Sequence, residues 1–345
     1  MSTDFSRARH RPGAKLLGLC VALLAVAMLS TSCSSGDSSS STSDSTTSSV
    51  VVTPTPTVAC STRTTELYAQ IPGVDPNLTS LEIFIPAAEE DGCVGRPLVV
   101  WVHGGGWTSG DRSEYLDDKV ALFTGAGFVF AAVNYRLTDS AVAPPAPQYP
   151  VHDQDTADAI AWLVEHAETY GIDSHRIAVL GHSAGGGITA AISTDEKYLG
   201  RHGLPLSTIR CAGSMDGEGY DVVAGASSTN AFAAGTYQNA FGTDSALWAE
   251  ASPIRHVAAG KGIPKFFIAA RGAEWRMEQH NAFIAALDAA DVVTTVLDVT
   301  TLEHADLTTQ IGRPDDTLVT PALMDFLGGC FTSRRRDLRR TDAGR

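Results

Sequence analysis

The chain has 345 residues and a formal net charge of −14. That acidic balance argues against nucleic acid or an anionic membrane surface as the main partner, because a binder of either needs a basic face. Its 43% hydrophobic and 19% charged residues suit one large folded domain with tails rather than a disordered chain.

Residues 1–33 read as a targeting segment. Arg7, Arg9, Arg11 and Lys15 form a basic stretch before an apolar run over 16–29, which is short for a membrane span. Ser30-Thr31-Ser32-Cys33 follows, and the whole run resembles a bacterial lipoprotein signal. The resemblance implies that Cys33 is lipidated and anchors an exported protein to a membrane. Ser30 departs from it, since such signals usually carry Leu there, and plain secretion with cleavage nearby is the alternative. Residues 34–58, rich in Ser, Thr and Pro, cannot bury a core and read as a flexible tether. The folded domain is expected over 59–331, followed by an arginine-rich disordered tail over 332–345.

Two antiparallel strands are expected over 65–70 and 81–86, the second alternating as Leu81, Ile83, Ile85. Continuous apolar runs over 98–102 and 128–133 read as buried strands. Residues 141–150 form a proline-rich loop. Asp153 is expected to cap a helix in which Ala157, Ile160, Ala161 and Val164 recur at helical spacing. Further strands are expected over 177–180, 209–215, 265–270 and 294–299, with helices over 277–289 and 321–327. Residues 221–250 lack clear periodicity and read as a small cap over the site. Strands alternating with helices make an α/β domain with a mostly parallel sheet covered on both faces.

Of six cysteines, Cys20 falls in the targeting segment and Cys33 is the lipidation candidate. Cys60, Cys93, Cys211 and Cys330 remain, an even number in an exported chain, with three possible pairings. Cys60 with Cys93 and Cys211 with Cys330 is the preferred set, tying down the first strand and the last helix. No C-x-x-C or histidine cluster points to a metal, and no organic cofactor is implied.

Two motifs carry chemistry. Gly181-His182-Ser183-Ala184-Gly185 fits G-x-S-x-G, a strand-to-helix turn that presents a serine. The pattern is weak alone, but four aliphatic or small residues precede it and a helix-compatible run follows. His103-Gly104-Gly105-Gly106 ends the 98–102 strand and is far more specific. An ester carbonyl attacked by serine becomes an anion that needs preorganised N–H donors. Gly105, Gly106 and Ala184 are the expected oxyanion-hole amides.

With HGGGW, NYRL and GHSAG in this order, the chain resembles the α/β-hydrolase fold, in its HGG-bearing esterase and lipase branch. The resemblance implies an eight-stranded sheet and a triad in chain order Ser, acid, His. Ser183 is then the nucleophile. His304 lies in the loop after the last strand and is the only histidine beyond His280. His182 is expected to pack beside the turn and His103 to shape the glycine loop; His152, His256 and His280 are read as surface or packing residues. The acid departs from the common pattern. Relatives usually carry Gly-x-x-Asp after the seventh strand, whereas Gly272-Ala273-Glu274-Trp275 puts a tryptophan at that place. Asp216, at the tip of the sixth strand, ranks ahead of Glu274, with Glu303 and Asp306 behind. The expectation is an exported serine hydrolase of small-molecule carboxylic esters. The alternatives are an amide or formamide hydrolase, as kynurenine formamidase would be, and an inactive binding module.

Overall fold

Residues 58–89, 92–138 and 148–332 are described by the computed structural model. The targeting segment with Cys33, all of the tether but its last residue, most of the 141–150 loop and the tail from 333 lie outside them.

Eight strands form one open sheet: β1 (Arg63–Leu67), β2 (Ser80–Phe84), β3 (Arg96–Val102), β4 (Val129–Val133), β5 (Ile172–His182), β6 (Ile209–Met215), β7 (Lys265–Ala270) and β8 (Thr294–Asp298). Their order is β1-β2-β4-β3-β5-β6-β7-β8. β1–β2 and β2–β4 pair antiparallel, and every pairing from β4 to β8 is parallel. This is the α/β-hydrolase architecture the motifs imply. The first strand begins and ends earlier than expected, and β5 starts five residues upstream of the apolar run over 177–180.

The two-residue repeat of the strands decides which helices meet which face. Val100 and Val102 point to one side with α2 (Val151–Glu165) and α3 (Ala184–Thr194), joining Ile160, Leu163, Ile188 and Ile192. Val99 and Trp101 point to the other, where α1 (Asp117–Gly125) contributes Phe123; Leu323, Phe326 and Leu327 come from the C-terminal helix. Both faces of the central strands are therefore dry, which is why they read as unbroken apolar runs.

After α3 come the short α4 (Lys197–Gly200) and, beyond β6, the expected cap. It consists of α5 (Val222–Ala226), α6 (Ala231–Phe241) and α7 (Ser245–Glu250). Each starts at an N-cap whose side chain accepts backbone N–H groups: Asp221, Asn230 and Asp244. Then follow α8 (Glu274–Ala289), α9 (Asp306–Thr309) and α10 (Val319–Thr332).

Contrary to expectation, Asp153 does not cap α2, which begins two residues earlier after Pro150. It is buried in the first turn and accepts from the Tyr198 hydroxyl at 3.1 Å. The preferred cysteine pairing is the one found: Cys60 is bonded to Cys93, and Cys211 on β6 to Cys330 on α10.

Candidate active site

Register brings the chemistry to one edge of the sheet. His182 pairs with Met215 and Met215 with Ala269, so Ser183 and Asp216 leave neighbouring strand tips together, level with Ala270 at the end of β7. Open α/β sheets place their sites at this carboxyl end.

Ser183 is the turn between β5 and α3, at φ 55° and ψ −123°. Backbone of that kind costs energy in a non-glycine residue and persists only where the surroundings hold it. The neighbouring glycines show what holds it. A Cβ on Gly181 would lie 2.2 Å from the Gly185 carbonyl oxygen, and one on Gly185 would lie 2.3 Å from that of Val102. The turn is pressed against its own helix and the end of β3, and no side chain fits between.

At the end of β3, His103 stacks on Tyr135 with ring centroids 4.4 Å apart, and its Nδ1 lies 2.7 Å from the Gly104 carbonyl oxygen. This is the loop-shaping role expected for it. Burial pushes its pKa down to about 4, so it is neutral near pH 7. Gly105 and Gly106 follow at φ 109° and 59°. Among the described residues no acceptor takes the amides of Gly105, Gly106 or Ala184.

Asp216, itself at φ 45°, is completely buried. His304 Nδ1 lies 2.5 Å from its Oδ2. On Oδ1 converge Arg276 Nε at 2.8 Å and His280 Nε2 at 3.1 Å, while Arg271 Nη1 stands 3.4 Å from Oδ2. Burial alone would raise the Asp216 pKa. Hydrogen bonds from His280 and His304 and the charge of Arg276 reverse this and hold it well below the usual carboxylate range. A carboxylate only accepts, so both imidazole nitrogens that touch it carry protons. In the neutral imidazole of His304, Nε2 then keeps its lone pair.

His182 packs beside the turn as expected and also holds the His304 loop. Its Nε2 donates to the His304 carbonyl oxygen at 2.8 Å, with the two rings 4.5 Å apart. Burial and the neighbouring His304 push the His182 pKa down to about 3. On the far side, buried Lys119 of α1 donates to the carbonyls of Tyr115 and Thr308, fixing the segment that follows His304.

Ser183 and His304 open into one cavity of about 940 Å³. Gly105, Gly106 and Thr108 form one wall, α6 residues from Ala231 to Asn239 another, and Arg271, Trp275 and Arg276 a third. The other acid candidates lie apart. Glu274 opens α8 with its side chain exposed, and no hydrogen bond or ion pair joins it to His304 among the described residues. The Glu303 side chain is 88% exposed, and Asp306 accepts from the Glu303 amide. His280 is neither a surface nor a mere packing residue, contrary to expectation, because it donates to Asp216. Sequence reasoning also passes over Arg271 and Arg276. The available signal is the four-residue spacing of Arg276 and His280, which puts both on one helix face.

The chain is 39% identical over 110 residues to the carboxylesterase NlhH of Mycobacterium tuberculosis, covering 32% of each. It is 32% identical over 119 residues to the ethyl acetate hydrolase of Pseudomonas putida, covering 34% of this chain and 35% of that one. It thus spans about a third of the length of these curated relatives. Among solved structures, esterase B of Lactobacillus rhamnosis superposes with a TM-score of 0.63 at 19% identity, over 83% of this chain and 91% of that one, a likeness of fold. The BD-FAE family model matches residues 81–274, more than half of the chain and the whole stretch from β2 to the start of α8, and the protein belongs to that family.

Proposed function

We propose that this protein is a serine hydrolase of carboxylic esters, with Ser183 as nucleophile, His304 as general base and Asp216 as the acid that orients it. The observation that carries the reading is the His304–Asp216 pair at 2.5 Å, at the cavity into which Ser183 opens. His304 Nε2 takes the Ser183 hydroxyl proton as the oxygen attacks the ester carbonyl, and returns it to the leaving alcohol. The acyl-enzyme is then hydrolysed by water activated in the same way. The tetrahedral oxyanion is received by the amides of Gly105, Gly106 and Ala184, which no protein acceptor occupies among the described residues. The cavity suits a small-molecule ester with room for both acyl and alcohol parts. The esterase names of the relatives support this reading.

The test is Ser183→Ala in the purified full chain, assayed on p-nitrophenyl esters of increasing chain length and by fluorophosphonate labelling. Turnover and labelling should both vanish with the fold intact. Unchanged turnover in the variant removes Ser183 as nucleophile, and a wild type that neither labels nor turns over is the inactive binding module.

We also propose export, with Cys33 as a lipid anchor and residues 34–58 as the spacer. Two disulfides in the folded domain fit an oxidising compartment. Cys33→Ala should move the protein from the membrane fraction to the soluble fraction; retention in membranes points to another anchor.

A further inference from the structure

We infer that Arg276 and His280, one turn apart on α8, form a bracket that positions the Asp216 carboxylate and sets the pH at which His304 can accept a proton. The inference rests on the functional reading above and concerns two positioning residues that need not touch substrate.

Four donors from three elements surround one buried carboxylate. Oδ2 receives His304 at 2.5 Å and, more loosely, Arg271 at 3.4 Å. Oδ1 receives Arg276 Nε at 2.8 Å and His280 Nε2 at 3.1 Å. The carboxylate therefore cannot rotate away from His304 without breaking two hydrogen bonds on its other oxygen. The bracket is itself fixed. The far end of the Arg276 guanidinium pairs with Glu218, and the fully buried His280 ring meets Tyr220 edge-on at 5.4 Å.

The bracket also works on the imidazole. Arg276 Nη2 lies 3.3 Å from His304 Nδ1, and both atoms are donors. That contact gains nothing as a hydrogen bond and places a permanent cation against any imidazolium. The charge of Asp216 favours the imidazolium. Arg276 opposes it twice, by its own charge and by neutralising Asp216.

Among the described residues, other charged or titratable groups also stand near His304 or its loop. His182 comes from β5, Arg271 from the end of β7, Glu303 and Asp306 from the histidine's own loop. Glu218 stands behind Arg276, and Lys119 reaches the loop from α1. None of these besides Arg276 puts a cation within hydrogen-bond distance of the ring.

The test is the pH profile of kcat/KM between about pH 5 and 9 on a neutral p-nitrophenyl ester, using the purified full chain. Arg276→Gln removes the cation, so the acid limb should move up by about one pH unit or more. Glu218→Gln leaves Arg276 charged without its second counter-ion, so the limb should move down. Arg276→Lys keeps the charge but loses the fork, so the limb should stay near its wild-type position while kcat falls about tenfold. Limbs that do not move in active Gln variants overturn the tuning role, and wild-type kcat in Arg276→Lys overturns the positioning role. If Arg276→Gln fails to fold, the sign of the Glu218→Gln shift decides. A wild type that turns over no ester defeats the functional reading and the inference with it. Active variants with unmoved limbs defeat the inference alone.

Discussion

At Asp216 the side chain is the acceptor for four donors, and that asymmetry fixes what an amide swap does. Asp216→Asn turns one oxygen into an NH₂ group, which must face either His304 or the Arg276–His280 pair, donor against donor. The imidazole loses its oriented tautomer, so kcat should fall by about a thousandfold to ten-thousandfold. Glu274→Gln changes an exposed carboxylate at the start of α8 and should alter kcat by less than about threefold. Parallel ester assays, with circular dichroism as the folding control, check both. A crippled Glu274→Gln beside a near-normal Asp216→Asn would reverse the assignment. Motif spacing makes Ser183 and His304 readable, because the elbow and the loop after the last strand are local features. The choice of acid is harder, since it depends on strand register, which no local pattern records. Arg276 and His280 are hidden for a related reason: their partner lies sixty or more positions away in sequence.

Among the elements, the parallel strands are legible because each is an apolar run buried on both faces. The helices of the cap are not, because Ala, Gly, Ser and Thr dominate them and leave only polar N-caps as signals. At the start of α2 the sequence pattern puts the cap three residues too late, and the residue concerned has a consequence of its own. Asp153 lies buried in the first turn, where burial pushes its pKa up to about 7 despite the Tyr198 hydroxyl and the charge of Lys197. The folded state thus binds a proton there that the unfolded chain releases near the ordinary carboxylate value. Stability should fall as pH rises from about 4 to about 7, by about 1.4 kcal/mol for each pH unit crossed, and level off above. Asp153→Asn removes this dependence and still offers Tyr198 an acceptor. Thermal melts should show the variant gaining several degrees over wild type at pH 8 and little at pH 4.5. An equal difference at both pH values would mean that the carboxyl does not titrate in this range.

For the molecule as a whole, the two disulfides divide the labour unevenly. Cys60–Cys93 closes 33 residues and ties the segment entering the edge strand β1 to the turn before the central strand β3. Cys211–Cys330 closes 119 residues and joins a central strand to the last helix. Chain-entropy reasoning assigns about 4 and about 5 kcal/mol to loops of these sizes, a small difference. Position should separate them more than loop length does. β1 is an edge strand that can fray while the rest stays folded, so part of the first contribution is lost before global unfolding. α10 covers one face of the central sheet with Leu323, Phe326 and Leu327, and its detachment exposes that core. Replacing Cys211 and Cys330 by Ala should lower the melting temperature by about 5–15 °C, and replacing Cys60 and Cys93 by clearly less. Neither pair lines the cavity, so ester turnover at 25 °C should persist in both double variants. Calorimetry with and without a reducing agent provides the control, because reduced wild type should approach the variant lacking all four cysteines. A larger loss from the Cys60–Cys93 pair would mean that β1 and β2 belong to the cooperative core, and that unfolding begins elsewhere.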